Sequence, residues 1–160
     1  MEQTLFLAIA DKYKDTIYRI ALNYFGNRHD ADDMVQDVLM KLYTSNKQFE
    51  SEEHIRNWLI RVTVNSCRNT LRMPWRSRNV AFSELSATTT FEHQEQSDLF
   101  LSVMGLPEKY RTVLYFFYYE DFSVKEISQL LKLKESAVTT RLSRARNQLK
   151  NKLAEVCQDE

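Results

Sequence analysis

The stretch from Phe122 to Leu153, FSVKEISQLLKLKESAVTTRLSRARNQLKNKL, constrains the fold more than any other part of the chain. Ser123 stands three residues before Glu126, and Val124, Ile127, Leu130 and Leu131 follow at helical spacing. A hydroxyl that accepts from the backbone, paired with a carboxylate that reaches back, satisfies two orphan amides and opens a helix. Lys132-Leu133-Lys134 makes a short break. A second helix follows, with Val138, Leu142, Ala145, Leu149 and Leu153 on one stripe. Two short helices joined by a tight turn, the second strongly basic, form the sequence pattern of a helix-turn-helix.

At about 100° per residue, Val138, Leu142 and Ala145 of the second helix point inward. Ser136, Thr140, Ser143, Arg144 and Asn147 point the opposite way, with Arg141 on the flank. Hydroxyl, amide and guanidinium groups suit phosphates and base edges. Arg141 to Lys152 holds five basic side chains and no carboxylate. A solvated helix with basic residues favoured near its C-terminus is the blander explanation. The capped helix and the break before it favour the bipartite reading.

The segment LPEKYRTVLYFFYYEDFSVKEISQLLKLKESAVTTRLSRARNQL resembles region four of RNA polymerase sigma factors of the extracytoplasmic-function (ECF) type. The matching elements are Leu106-Pro107, Arg111, Ser123, Glu126-Ile127, Val138, Arg141-Leu142 and Arg144-Ala145-Arg146. Asp121 and Lys132 stand where glycine is frequent in that family, and Ser136-Ala137 replaces a common Gly-Thr pair.

The 160 residues suit one domain or two small ones. Two glycines and two prolines, with Leu, Lys, Glu and Arg plentiful, argue for an all-α fold. No apolar run reaches the roughly 20 residues needed to cross a bilayer, so no membrane insertion is expected. The N-terminus lacks the charged and apolar regions of a signal peptide. Cys67 and Cys157 lie far apart in helical segments, without metal-ligand spacing, which fits a reducing cytoplasm. His29, His54 and His93 are scattered, and neither a nucleophile motif nor a phosphate loop is present. The expectation is therefore no catalysis, no metal and no cofactor.

Acids and bases balance at 22 each, but the charge is segregated. Arg56 to Arg78 holds six arginines and no acid, whereas Asn79 to Phe100 holds four acids and no Lys or Arg. A chain that grips duplex DNA alone usually carries a visible basic excess. Weak DNA affinity is expected of this chain in isolation.

Along the chain, Thr4 to Phe25 reads as a first helix with Phe6, Ile9, Ala10, Tyr13, Ile17, Ile20 and Tyr24 on one stripe, closed by Gly26-Asn27. Asp30 to Tyr43 reads as a second helix, with Asp30 as its N-cap. Ala31, Met34, Val35, Val38, Leu39 and Leu42 make its apolar face. Asp33, Gln36, Asp37 and Met40 make the opposite one. A flexible apolar Met40 among carboxylates points to a protein contact.

DADDMVQDVLMKLY also resembles the polymerase-binding helix of region two in the same family. That resemblance implies that Asp33, Gln36, Asp37 and Lys41 bind core RNA polymerase, at the clamp helices of its largest catalytic subunit. Met40, read above as a protein contact, completes the expected polymerase-binding set.

Ser51 should cap a third helix running to Arg72, with Ile55, Trp58, Leu59 and Val62 inward. WLIRVTVNSCRNTLR resembles the promoter-melting part of region two. By that likeness Asn65 captures a base flipped from the minus-ten element. Arg56, Arg61, Arg68 and Arg72, with Arg76 and Arg78, can line the melted strand, and an amide both donates to and accepts from a base edge. Trp58 falls on the apolar stripe, so core packing is favoured over base stacking.

The expected architecture is two small helical domains joined by a flexible linker, the second containing the helix-turn-helix. Residues 1–72 form the polymerase and minus-ten domain, 73–97 the linker, and 98–160 the minus-thirty-five domain, with Ser136, Thr140, Arg141, Ser143, Arg144 and Asn147 on duplex DNA. The linker is rich in Ser, Thr, Gln and Glu. About 25 such residues relax to roughly 25–30 Å and reach about 80 Å when extended. Half-sites two helical turns apart lie at roughly 70 Å, so an external scaffold must hold the domains apart.

Pro107 starts a helix to about Glu120, with Val113, Leu114, Phe117 and Tyr118 inward. The run Leu114 to Tyr119 is apolar nearly all round. It reads equally as a small core or as a face toward the polymerase or an inhibitory partner. The resemblance thus implies an alternative sigma factor whose partners are core polymerase, promoter DNA and an anti-sigma factor. The other reading is a stand-alone helix-turn-helix regulator, which would need a dimerisation element.

Overall fold

The computed structural model describes residues 1–73 and 101–158, with side chains as far as 155. The linker expected at residues 73–97 lies outside the described residues except for Met73, as do Arg76, Arg78, His93 and the Cys157 side chain. The chain divides into two compact units, Met1–Val80 and Ala81–Glu160. Every regular element among the described residues is helical.

The first unit contains α1 (Gln3–Phe25), α2 (Arg28–Thr44) and α3 (Glu52–Leu71). α1 packs on both others, and α2 also packs on α3. The core takes Ile9, Tyr13, Ile17, Ile20, Ala21 and Tyr24 from α1, and Ala31, Met34, Val38 and Leu42 from α2. Val35 and Leu39 flank that second row and are half-buried. Burying an aliphatic side chain as completely as Ile17 and Ile20 are buried stabilises by about 1.5–3 kcal/mol each. Gly26 ends α1 in the left-handed region at φ 73°, and its N–H donates to the Leu22 carbonyl at 2.8 Å.

α2 begins earlier than expected. Asn27, not Asp30, is its N-cap: Asn27 Oδ1 accepts from the Asp30 amide at 2.8 Å. Asp30 is the reciprocal partner, its Oδ2 accepting from Asn27 Nδ2 at 2.7 Å. Asn and Asp cap almost equally well, so composition could not choose between them. Ser51 caps α3 as expected, its Oγ accepting from the His54 amide at 3.1 Å.

The buried face of α3 is rotated from the expected one. Leu59, Ile60, Thr63, Val64, Ser66 and Cys67 are buried, whereas Ile55, Trp58 and Val62 are only half-buried. Two polar residues sit in that face and are satisfied inside the unit. Thr63 Oγ1 donates to the Leu59 carbonyl at 2.6 Å, and Ser66 Oγ accepts from Lys41 Nζ at 2.8 Å. A stripe drawn through apolar residues alone passes beside them.

In the second unit, residues 101–104 are helical. α4 (Glu108–Leu114) follows and runs into a π-helical turn at Tyr115–Tyr119. α5 (Val124–Leu131) and α6 (Glu135–Gln158) complete it. α6 packs on α4 and α5. Its core includes Leu106, Val113, Phe116, Ile127, Val138, Leu142 and Ala145. Pro107 is the N-cap of α4 and not its first turn.

The π-helical turn changes which aromatics go inside. Phe116 is fully buried against Phe122, while Tyr118 is 57 % exposed and Phe117 half-buried. The wider turn breaks the 100° phase that placed Phe117 and Tyr118 inward. Phe116 has no polar atom to satisfy and takes the interior, while the Tyr118 hydroxyl stays at the surface.

The helix-turn-helix forms as read. The Ser123 and Glu126 capping box is closed in both directions, at 3.1 and 3.2 Å. The break is a left-handed turn at Lys132, φ 59° and ψ 46°, with the Leu133 amide donating to the Ser128 carbonyl at 2.9 Å. Asp121 also has positive φ, at 56°. These are two of the positions where the resembling family frequently has glycine, and the backbone supplies the reason. Aspartate tolerates that region; lysine bears the Cβ clash in full. Lys132→Gly should therefore stabilise the second unit by about 0.5–1 kcal/mol. A higher urea midpoint for that unit's unfolding is the expected reading, and an unchanged or lower one would remove strain from the account.

Candidate polymerase and nucleic-acid interfaces

On α2, positions 33, 36, 37 and 40 share one side of the helix because they are spaced by three and four residues. Asp33, Gln36, Asp37 and Met40 are all exposed, Met40 by 62 %. His29 Nε2 lies 3.5 Å from Asp33 Oδ2 one turn earlier. Lys41 stands at the edge of this face and turns toward α3. Its amine lies 3.0 Å from Asp37 Oδ2 and donates to Ser66 Oγ. The expected outward set is thus four residues on one surface and a fifth that bridges to the neighbouring helix.

On α3, Arg61, Asn65, Arg68 and Arg72 follow at i, i+4, i+7 and i+11, a single row along the helix. Arg61 and Arg72 are exposed, while Asn65 and Arg68 are half-buried. Arg56 does not join them. It lies on the row of Ile60, Thr63 and Cys67, one turn before the buried face begins, and is half-buried. Trp58 is not core: it is half-buried, seven residues before Asn65 on nearly the same row. Phe49 braces it edge-on at 5.5 Å, and His54 meets the same Phe49 ring at 5.3 Å. A side chain on the apolar stripe by count is thus propped beside the arginine row, its indole partly open.

On α6, Ser136, Thr140, Ser143, Arg144 and Asn147 are exposed, and Arg141 is half-buried on the flank. Thr140 Oγ1 donates to the Ser136 carbonyl at 2.9 Å and leaves its lone pairs facing outward. Opposite them, Val138, Leu142 and Ala145 are buried. The inward and outward residues of the recognition helix are those read from its sequence.

Arg146 was not among the contact residues expected from the sequence. It is exposed on the other flank of α6, its Nε donating to the Tyr118 hydroxyl at 2.6 Å. Its guanidinium carbon lies 5.5 Å from both the Phe117 and the Tyr118 ring centres. A cation over aromatic faces is held electrostatically while its remaining N–H groups stay available. The signal in the sequence was the aromatic run itself, whose partner depends on the tertiary fold.

Arg111 secures the entry to this unit. Its Nη1 donates to the carbonyls of Leu106 at 2.9 Å and Met104 at 3.3 Å. Burial pushes the guanidinium pKa below its ordinary value, and nearby Glu108 opposes the shift.

Two family models match the chain: Sigma-70 region 2 over residues 9–77 and Sigma-70, region 4 over residues 101–149. The first spans α2, α3 and most of α1; the second spans α4, α5 and most of α6. The ECF RNA polymerase sigma factor SigW of Bacillus subtilis is 28 % identical over 172 residues, covering 97 % of this chain and 92 % of that one. The chain belongs to the ECF family of RNA polymerase sigma factors.

RNA polymerase sigma factor SigV of the same organism is 27 % identical over 145 residues, covering 89 % of this chain and 87 % of the relative. The fold agrees with that of the sigma factor RpoE from Bartonella quintana, crystallised with the anti-sigma factor NepR. The TM-score is 0.72 at 20 % identity, over 95 % of this sigma factor and 96 % of that chain. CnrH, solved with the cytosolic domain of CnrY, gives a TM-score of 0.67 at 24 % identity over 96 % and 90 % of the two chains. No helix among the described residues of this sigma factor is long and apolar enough to cross a membrane. It is an alternative sigma factor that directs transcription initiation.

Proposed function

We propose that this sigma factor docks on core RNA polymerase through Asp33, Gln36, Asp37 and Met40, and holds the melted minus-ten strand along Arg61, Asn65, Arg68 and Arg72. Ser136, Thr140, Ser143, Arg144 and Asn147 then enter the major groove of the minus-thirty-five element, with Arg141 at the edge. The observation that carries this reading is the presence of three separate rows of exposed and half-buried side chains, on α2, α3 and α6. Each lies on the side of its helix away from that helix's buried residues or beside them.

In this reading residues 1–72 form the polymerase and minus-ten domain and residues 98–160 the minus-thirty-five domain, with 73–97 as the join. The protein acts in the cytoplasm, where the polymerase is, and carries no catalysis of its own. An anti-sigma factor restrains it, as the anti-sigma factor NepR is bound to the sigma factor RpoE in their co-crystal. A stand-alone helix-turn-helix regulator has no use for the region 2 segment that fills residues 9–77.

Run-off transcription with core polymerase, with and without the purified chain, is the direct test. Promoter-dependent transcripts should appear only when both are present. Tight, sequence-selective promoter capture by the chain alone would overturn the proposal. Arg144→Ala should weaken upstream duplex contacts by about 1–3 kcal/mol if the guanidinium meets a base, and less if it meets a phosphate. Transcription from promoters mutated across the minus-thirty-five element separates the two, and an unchanged promoter preference takes Arg144 out of the readout.

A further inference from the structure

We propose that Lys41 is a positioning residue, a strut that fixes the register of the strand-binding helix against the polymerase-binding helix. The inference rests on the roles proposed above for Asp37 and Asn65. Lys41 Nζ donates to Ser66 Oγ on α3 at 2.8 Å and lies 3.0 Å from Asp37 Oδ2 on α2. Ser66 is buried: its chain neighbour Asn65 is half-buried on the arginine row of α3, and Cys67 is in the core. One amine therefore ties the carboxylate that meets polymerase to the residue beside the one that meets the flipped base.

The buried side chains of α2 are Ala31, Met34, Val38 and Leu42, all apolar. Apolar burial is strong but non-directional, and it resists a small slide of α3 along α2 only weakly. A charge-assisted hydrogen bond is short and directional. It defines where Asn65 stands relative to the α2 surface, and a displacement of about 1 Å is enough to spoil a productive geometry. Lys41 is itself half-exposed, and the Lys41–Asp37 pair is a surface pair whose contribution to stability is small. Removing the strut should change geometry far more than it changes folding.

The test uses the full chain with core polymerase at saturating concentration, read by the permanganate reactivity of unpaired promoter thymines. Ser66→Ala and Lys41→Met should each slow promoter opening about three- to tenfold, the scale of one lost hydrogen bond. The melting temperature and the polymerase affinity of Ser66→Ala should stay at the parent value. The double variant should open no more slowly than Lys41→Met alone, because both remove the same contact. Lys41→Arg, which keeps a cationic donor, should restore most of the rate.

Normal opening by Ser66→Ala, beside defective opening by Asn65→Ala, overturns the strut and leaves the strand contact standing. Multiplicative defects in the double variant also overturn it. Normal opening by Asn65→Ala instead removes the strand contact, and the strut falls with it because what it positions is not used.

Discussion

Asp37→Arg should abolish association with core RNA polymerase and leave the fold intact. Asp37 is exposed in the middle of the Asp33, Gln36, Asp37 and Met40 surface, away from Met34, Val38 and Leu42 in the core. Surface substitutions of this kind usually change stability by no more than about 0.5 kcal/mol. At an interface the effect is much larger, because a reversed charge loses its partner and places like charges together, at a cost of several kcal/mol. The substitution also removes the carboxylate beside Lys41, so a control is needed. Lys41→Met keeps Asp37 and deletes the amine. Loss of co-purification in Asp37→Arg with retention in Lys41→Met identifies the carboxylate as the contact. Normal co-purification of Asp37→Arg would show that polymerase binds elsewhere.

What could be read in advance follows from how local each feature is. The α1 stripe, the Ser123 and Glu126 box and the inward row of α6 depend on residues within one or two turns, and the structure holds them where periodicity put them. The misplaced features depend on contacts across the fold. α3 buries Thr63 and Ser66 because a backbone carbonyl and the Lys41 amine satisfy them, and no count of apolar residues anticipates that. In Tyr115 to Tyr119 every residue is aromatic, so hydrophobic periodicity carries no phase, and the π-helical turn decides which ring goes in.

The interfaces divide in the same way. Rows at i, i+4 and i+7 on α3 are legible, and Arg56 falls off the row as soon as its position is counted against Asn65. Lys41 belongs by spacing to the edge of the α2 surface, but only the packing of α2 on α3 brings its amine to Ser66. The glycine-preferring positions 121 and 132 show the converse. A family preference noticed in the sequence acquires a cause once both residues are found at positive φ.

Phe116→Ala should unfold the helix-turn-helix unit while the first unit remains folded. Phe116 is fully buried, packed on Phe122 with ring centres 5.3 Å apart and edge-on to Tyr115 at 5.2 Å. The backbone carbonyl of Phe116 also accepts from the Phe122 amide at 2.9 Å, and the ring contact with Phe122 packs the turn that leads into α5. Truncating a buried phenylalanine costs about 3–5 kcal/mol, comparable to the whole stability a small helical core supplies. The first unit draws its core from Ile17, Ile20, Val38, Leu42, Leu59 and Val64, none of which belongs to the second. Peptide-resolved hydrogen exchange should therefore show lost protection across α4 to α6 and native protection across α1 to α3. The same variant should still bind core polymerase through α2 but lose transcription that depends on the upstream element. Equal loss of protection in both units would mean that they fold as one cooperative body, and native protection in α4 to α6 would mean that the Phe116 ring is not what holds them.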